Sequence, residues 1–387
     1  MKIKFLFLLI LGFQLSFSQI ILSDKAEVSI ITVGAGEDLN DTWGHSAIRI
    51  NDRKLGFDNV YNYGVYDFDT PNFYTKFMQG KLLYNLGVNK FYNFLRYYSS
   101  VNRSVTEQVL NLNQEEKQAY FNFLQNNAKP ENKKYLYDFF FDNCATKLRY
   151  VNTEVLQDKV LYKDEAFKEN FTFRDLIYQK LETHPWGKFG IDIALGSVID
   201  RKATPKEFTF LPSYIFDNFK TAQINNNGNI EPLVNKTNYL YKEIESPKKL
   251  SFLTPITIFS LLSLIIIFFT YLDYKYKKQY KWIDFTLLFS TGLVGLLVVL
   301  LWFATDHSTT KNNLNILWAF SPNLFFAFYV FKEKRQVLLK KYYLQLIILL
   351  LLQIILWIFK IQVFNWAMIP IILMLLVRYF YNYVAKI

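Results

Sequence analysis

The sequence predicts an α+β domain held outside the cytoplasm, followed by an all-α transmembrane bundle of about five helices. Three observations lead there. The chain has 387 residues and is 51% hydrophobic, but the last third is nearly continuous apolar sequence. The earlier part mixes short β-branched runs with turns and capped helical stretches. Basic clusters fall in alternate connections of the apolar part, as in multi-pass membrane proteins. The expected division is a signal peptide over 1–18, an exported domain over 19–220, a linker over 221–250 and a membrane domain over 251–387.

Lys2 and Lys4 precede the apolar run Phe5–Leu15, and Ser16-Phe17-Ser18 places small residues at cleavage spacing. An uncleaved anchor is the alternative and puts the next segment on the same side. The apolar stretches lie near 251–272, 284–304, 315–331, 341–359 and 363–382. Each approaches the roughly 20 residues that a bilayer span takes. The third is short. Lys275, Lys277, Lys278 and Lys281 share one connection, and Lys332, Lys334, Arg335, Lys340 and Lys341 share another. The alternate connections carry only Lys311 and Lys360. The basic loops therefore belong in the cytoplasm and residues 19–250 outside it, in agreement with the leader.

Within the exported part, Ala26–Val33 reads as a strand, and His45–Ile50 and Phe57–Phe68 as a hairpin turning near 53–54. That register sets His45 opposite Asn62 on a shared face, with Asp58 further along it. Thr70-Pro71 opens a short helix ending before Gly80. Asn113 with Glu116 approximates a capping box. Tyr135–Phe141 reads as extended, and Asp142-Asn143 caps a helix running from Cys144 through Arg149. The run Asn225-Asn226-Asn227-Gly228-Asn229 reads as a turn or linker.

The formal net charge is +11, which can serve nucleic acid. Much of it lies between the spans, where it sets topology, so no nucleic-acid partner is expected. Cys144 is the sole cysteine, which excludes an internal disulfide and a cysteine-based metal site; no metal and no cofactor is expected. A free cysteine is usually a small buried hydrophobe. This one follows two capping residues and opens a helix, where unpaired N–H groups and the helix dipole favour a thiolate. His45, in Trp43-Gly44-His45-Ser46-Ala47, would serve as its base, with Asn62 or Asp58 fixing the imidazole. His307 follows Asp306 at the outer end of a span. It is a candidate for lipid head groups beside a solvated-loop reading. Arg149 reads first as an internal ion pair and second as a phosphate ligand.

A Gly-His-Ser-Ala strand before an Asp-Asn-Cys-Ala-Thr helix start resembles the circularly permuted, papain-like members of the NlpC/P60 superfamily. More closely, the chain resembles the Lnb family of lipoprotein N-acyltransferases. The resemblance rests on WGHSAIRI (43–50), FDNVYNYGVYDF (57–68), PNFYTKFMQGKLLYNL (71–86), NRSVTEQVLNL (102–112), DNCATKLRY (142–150) and GSVIDRKATPKEFTFLP (196–212), together with the multi-span tail. Tyr150 departs from the acidic residue expected there. The resemblance implies a bacterial inner-membrane enzyme with its catalytic domain in the periplasm. Cys144 would be the nucleophile and His45 the base, a phospholipid the acyl donor and diacylated lipoproteins the acceptors. Trp43, Arg149 and His307 are expected on the substrate side. Two other readings remain open: a cell-wall peptidase or amidase of the wider superfamily, and a non-catalytic membrane scaffold.

Overall fold

The computed structural model describes residues 20–164, 170–226, 228–244 and 251–385. The stretch 1–18, read as a signal peptide, lies outside the described residues. The first part of the chain builds one antiparallel sheet. Its strands are β1 (Glu27–Val33), β2 (His45–Asp52), β3 (Phe57–Val65), β4 (Leu83–Lys90), β5 (Val105–Leu110), β6 (Lys134–Leu136) and β10 (Val234–Tyr241), in the order β10-β5-β1-β2-β3-β4-β6. The helices of this part are α1 (Phe73–Met78), α2 (Phe91–Ser100), α3 (Gln114–Asn127), α4 (Cys144–Leu156), α5 (Phe173–Tyr178), α6 (Pro185–Ala194), α7 (Pro205–Phe208) and α8 (Pro212–Thr221).

Period-2 alternation divides the sheet's side chains between two faces. Ile48, Ile50, Tyr61 and Tyr63 pack with Tyr120, Phe121, Ala145 and Leu148 of α3 and α4. Ala47, Val60 and Val33 pack with Phe91 and Phe94 of α2 on the other face. Each buried Val, Leu, Ile or Phe among them contributes about 1.5–3 kcal/mol over leaving it in water. A third cluster joins Phe140, Phe173, Phe208 and Phe210 beyond the sheet.

Local chemistry sets the helix ends. Asn113 and Glu116 form the expected capping box of α3. The Asn143 side chain accepts from the amides of Ala145 and Thr146, so α4 starts at Cys144 as expected. It runs on past Arg149 to Leu156 and stops where Gln157 turns to φ 50. Helix α1 begins later than Thr70-Pro71 suggested, behind a left-handed Asn72 that offers no side-chain cap. The extended run expected over 135–141 is strand only to Leu136, because Asp138 folds the chain back by accepting from the amides of Phe140 and Phe141.

Residues expected to link the domains are strands instead. β8 (Gln223–Asn226) pairs with β7 (Val160–Leu161) on one side and with β9 (Asn229–Pro232) on the other, and β10 adds to the main sheet beside β5. The cause is a hydrophobic anchor. Ile224 and Leu233 are buried in the same core as α4. Residues 245–250 lie outside the described residues.

The second part is helical: α9 (Pro255–Tyr276), α10 (Lys281–Phe303), α11 (Asn323–Ala327), α12 (Gln336–Ile358) and α13 (Met368–Val384). Among the described residues, three of its helices are long and apolar enough to cross a membrane, and Met368–Val384 is a shorter apolar helix. The expected span over 315–331 is not one helix. It comprises a 3₁₀ turn at Leu314–Leu317, the short α11 and a second 3₁₀ turn at Phe328–Phe331. Pro322 interrupts it. Its bare backbone packs directly on Gly292 and Gly295 of α10, and the Asn323 side chain donates to Thr291. Arg378 of α13 ties the bundle together, with its side chain wholly buried against Asp273 and Asp284.

Three connections of the bundle touch the first part: Leu253 accepts from Trp186, Asn365 donates to Asp192, and the 306–315 loop meets several partners. These are the connections that the charge pattern placed outside the cytoplasm. Behind them Arg174, with its side chain 1% exposed, bridges Asp192 and Asp200.

Candidate active site

His45 opens β2, and the register of Ile48 opposite Tyr61 runs on to set it across from position 64, two residues from the expected Asn62. A two-residue slip leaves the faces unchanged. The imidazole therefore still reaches Asn62: His45 Nε2 donates to Asn62 Oδ1 at 2.6 Å. The other ring nitrogen is left for the sulfur, and His45 and Cys144 are hydrogen-bonded. Tyr98 of α2 stacks on the imidazole with centroids 6.2 Å apart. Asp58, the competing third member, is held away by Arg49, which binds both its oxygens at 2.8 Å.

Gly64 lies beside the site in a backbone conformation that suits glycine. Its φ is +94°, and a Cβ there would stand 3.8 Å from Cys144 Cβ and 3.6 Å from the Tyr137 ring. The register irregularity between Tyr63 and Val65 marks the same point as a bulge in β3, past which Val65 still pairs with Asn85 of β4.

Cys144 is 7% exposed. Burial alone would push its thiol pKa up, but the charge and hydrogen bond of His45 and the amides of Ser46 and Ala145 outweigh this and hold it below the ordinary thiol value. Burial likewise disfavours the imidazolium. The Cys144 thiolate and the Asn62 bond prevail over that and over the repulsion of Arg103, so the His45 pKa is raised. Together the two shifts favour a thiolate–imidazolium pair. Asn143 takes the amides of Ala145 and Thr146 but not that of Cys144, the first of the helix.

The three residues expected on the substrate side have other partners. Trp43 donates its indole N–H to Ile177 O at 3.2 Å and packs edge-on against Phe139. Arg149 gives both terminal nitrogens to Asp164, at 2.9 and 2.8 Å, and lies over the Tyr162 ring. That is its internal ion-pair reading. His307 donates from Nε2 to Met78 O at 3.2 Å, and its neighbour Ser308 donates to Asp138 Oδ2 at 2.6 Å, in the turn before Cys144. Sequence reasoning passed over Gly64, Tyr98 and Arg103. Of these, Gly64 alone carried a signal, as a glycine interrupting an aromatic strand two residues after Asn62.

Among the described residues no group of three or more His, Cys, Asp or Glu side chains could hold a metal ion. No curated protein and no solved structure matches the chain. Two family models do, one in each part of the fold. Residues 15–177 match the Lnb N-terminal periplasmic domain, and residues 247–387 match the Lnb transmembrane domain. The chain carries both in that order, and it belongs to the Lnb family of bacterial membrane proteins with a periplasmic domain.

Proposed function

We propose that this protein is a cysteine-dependent lipoprotein N-acyltransferase of the bacterial inner membrane. It would move an acyl chain from a phospholipid to the N-terminal amine of diacylglyceryl-cysteine lipoproteins. The observation that carries this reading is the Asn62–His45–Cys144 chain of hydrogen bonds, with the sulfur at the head of α4. The order, a histidine strand before a cysteine helix, is that of a permuted papain-like domain.

In the first half-reaction the Cys144 thiolate attacks the ester carbonyl carbon of the phospholipid. The oxyanion that develops faces the uncapped Cys144 amide, a donor fixed in advance by the helix. His45 gives its proton to the departing alkoxide of the lysophospholipid, which leaves a thioester and a neutral imidazole. In the second half the acceptor's α-amine attacks the thioester carbonyl and His45 takes the amine proton. The C–S bond breaks, and the thiolate and imidazolium are restored. Asn62 holds the ring with one nitrogen on the sulfur through both halves, the orienting role of the third member of a triad. The membrane domain suits this chemistry, because both substrates are lipids of the outer leaflet.

The test is to incubate the purified full chain with labelled phospholipid and a diacylated lipopeptide. A fatty-acyl mass on Cys144, followed by its transfer to the peptide amine, is the expected result. Release of stem peptides from cell-wall fragments without lipopeptide acylation would replace this reading with the hydrolase.

A further inference from the structure

Helix α1 has no buried residue, although it carries Phe73, Tyr74, Phe77 and Met78. Tyr74 is 73% exposed, Met78 60%, and Phe68 in the preceding loop 65%. Apolar patches of this kind on a folded domain are interaction surfaces. What covers this one follows from its position. The C-terminal end of α1 is joined to the end of a span: the Asp306 amide, just past α10, donates to Gln79 O at 2.9 Å. Gly80, at φ +70°, is pressed against His307, whose amide would stand 3.1 Å from a Cβ there. Aromatic side chains beside a span end sit at head-group depth. Lys76 on the helix suits anionic head groups, and Lys81 pairs with Asp306 at the span end, at 4.0 Å.

From this patch a row of rings leads inward. Phe73 lies 5.8 Å from Tyr66, Tyr66 lies 5.4 Å from Tyr84, and Tyr84 stacks on Tyr137 at 4.5 Å, centroid to centroid. Tyr137 and Cys144 meet at the side of Gly64 that lacks a Cβ. Burial keeps the Tyr84 phenol neutral, with its pKa pushed up to about 12, so the row carries no charge to repel an alkyl chain.

We infer that α1 is seated in the outer leaflet and that the row Phe73–Tyr66–Tyr84–Tyr137 is the route by which an acyl chain leaves the bilayer for Cys144. The seating stands on geometry alone, whereas the route rests on the acyl-transfer reading above. The experiment has two arms on the full chain in phosphatidylethanolamine–phosphatidylglycerol nanodiscs. In the first, Cys144→Ser removes the sole cysteine, and Phe77→Cys or Glu115→Cys (on the exposed face of α3) carries an environment-sensitive dye. Lipid-borne nitroxide is expected to quench the label at position 77 several-fold more than the label at 115. Equal quenching overturns the seating, as does protection of position 77 by a bound protein instead of lipid.

In the second arm, Tyr66→Ala and Tyr84→Ala are assayed for acyl-Cys144 with a long-chain phospholipid and with a soluble short-chain acyl ester. Loss of one ring's contact is expected to cost roughly tenfold with the phospholipid alone. Equal loss on both donors, or on neither, overturns the route. If the unaltered chain is acylated by neither donor, the acyl-transfer reading fails and the route falls with it, while the quenching arm still decides the seating.

Discussion

Asn62 Oδ1 accepts a 2.6 Å hydrogen bond from His45 Nε2, and this bond determines which ring nitrogen faces the Cys144 sulfur. A strand side chain thus fixes the tautomer of a base on the neighbouring strand. The consequences can be measured.

Cys144→Ala should abolish acyl-enzyme formation and lipopeptide acylation while the chain still accumulates in the membrane. A thiol contributes little to packing beyond what a methyl supplies, so the stability change should stay within about 1–2 kcal/mol. Intact-mass spectra after incubation with phospholipid, together with thermal unfolding in detergent, check both halves. Acylation that persists elsewhere on the variant would remove Cys144 from the mechanism.

The rate should follow a bell in pH. On the acid side it falls as the sulfur is protonated, below the ordinary thiol value because the Cys144 pKa is lowered. On the alkaline side it falls as the imidazolium loses the proton needed by the leaving group, above the ordinary histidine value because the His45 pKa is raised. Asn62→Ala removes one of the bonds that raises His45, so the alkaline limb should move to lower pH. The weakened imidazolium should let the acid limb rise, narrowing the bell. The loss in kcat/KM should stay below the roughly 10²–10⁴-fold that general acid–base catalysis supplies. A profile unchanged in shape would mean that Asn62 does not act through His45.

Gly64→Ala places a Cβ beside Cys144 at a backbone φ of +94°. The strain of a left-handed alanine costs about 1–2 kcal/mol, and relaxing it would turn the strand two residues from Asn62, which holds the imidazole. Activity should fall by more than the thermal midpoint implies. Kinetics and unfolding curves on one preparation separate the two effects.

Asp192→Ala should destabilise the joint between the domains. Its carboxylate accepts from Arg174 at 2.7 Å and from Asn365 at 2.8 Å; the change leaves Arg174 paired with Asp200 but takes the acceptor from one of its buried N–H groups and from the Asn365 amide. Leaving a buried donor without its acceptor costs roughly 1–3 kcal/mol. Lower accumulation, and protease cleavage between the domains of purified protein, are the readouts.

Much of this site was legible before any coordinates. Asn143 and Cys144 declared a helix start because capping is local chemistry, and the hairpin put His45 and Asn62 on one face because faces follow parity. The register was less legible. Turn length decides it, and the sequence permitted a shift of two residues, which parity tolerates. The fate of Arg149 turned on Asp164, a partner that only the folded chain brings near. The break over 315–331 was hidden for a related reason. An apolar run with one proline can remain a helix, and it was the close backbone approach at Gly292 and Gly295 that made a broken path stable. The strands over 223–241 escaped notice because their residues are polar and asparagine-rich, and Ile224 and Leu233 are the ones buried in the core.

The last strand of the sheet, β10, pairs with β5 and is the final regular element before the first helix of the bundle. During synthesis the sheet therefore lacks one border until the segment next to α9 has been translocated. Until then β5 offers an open edge, a site for mispairing with a neighbouring chain. Completion of the periplasmic domain and insertion of the first anchor are thus successive events on one short stretch of polypeptide. An arrest of export within that stretch would leave an unfinished domain before its first anchor is in place.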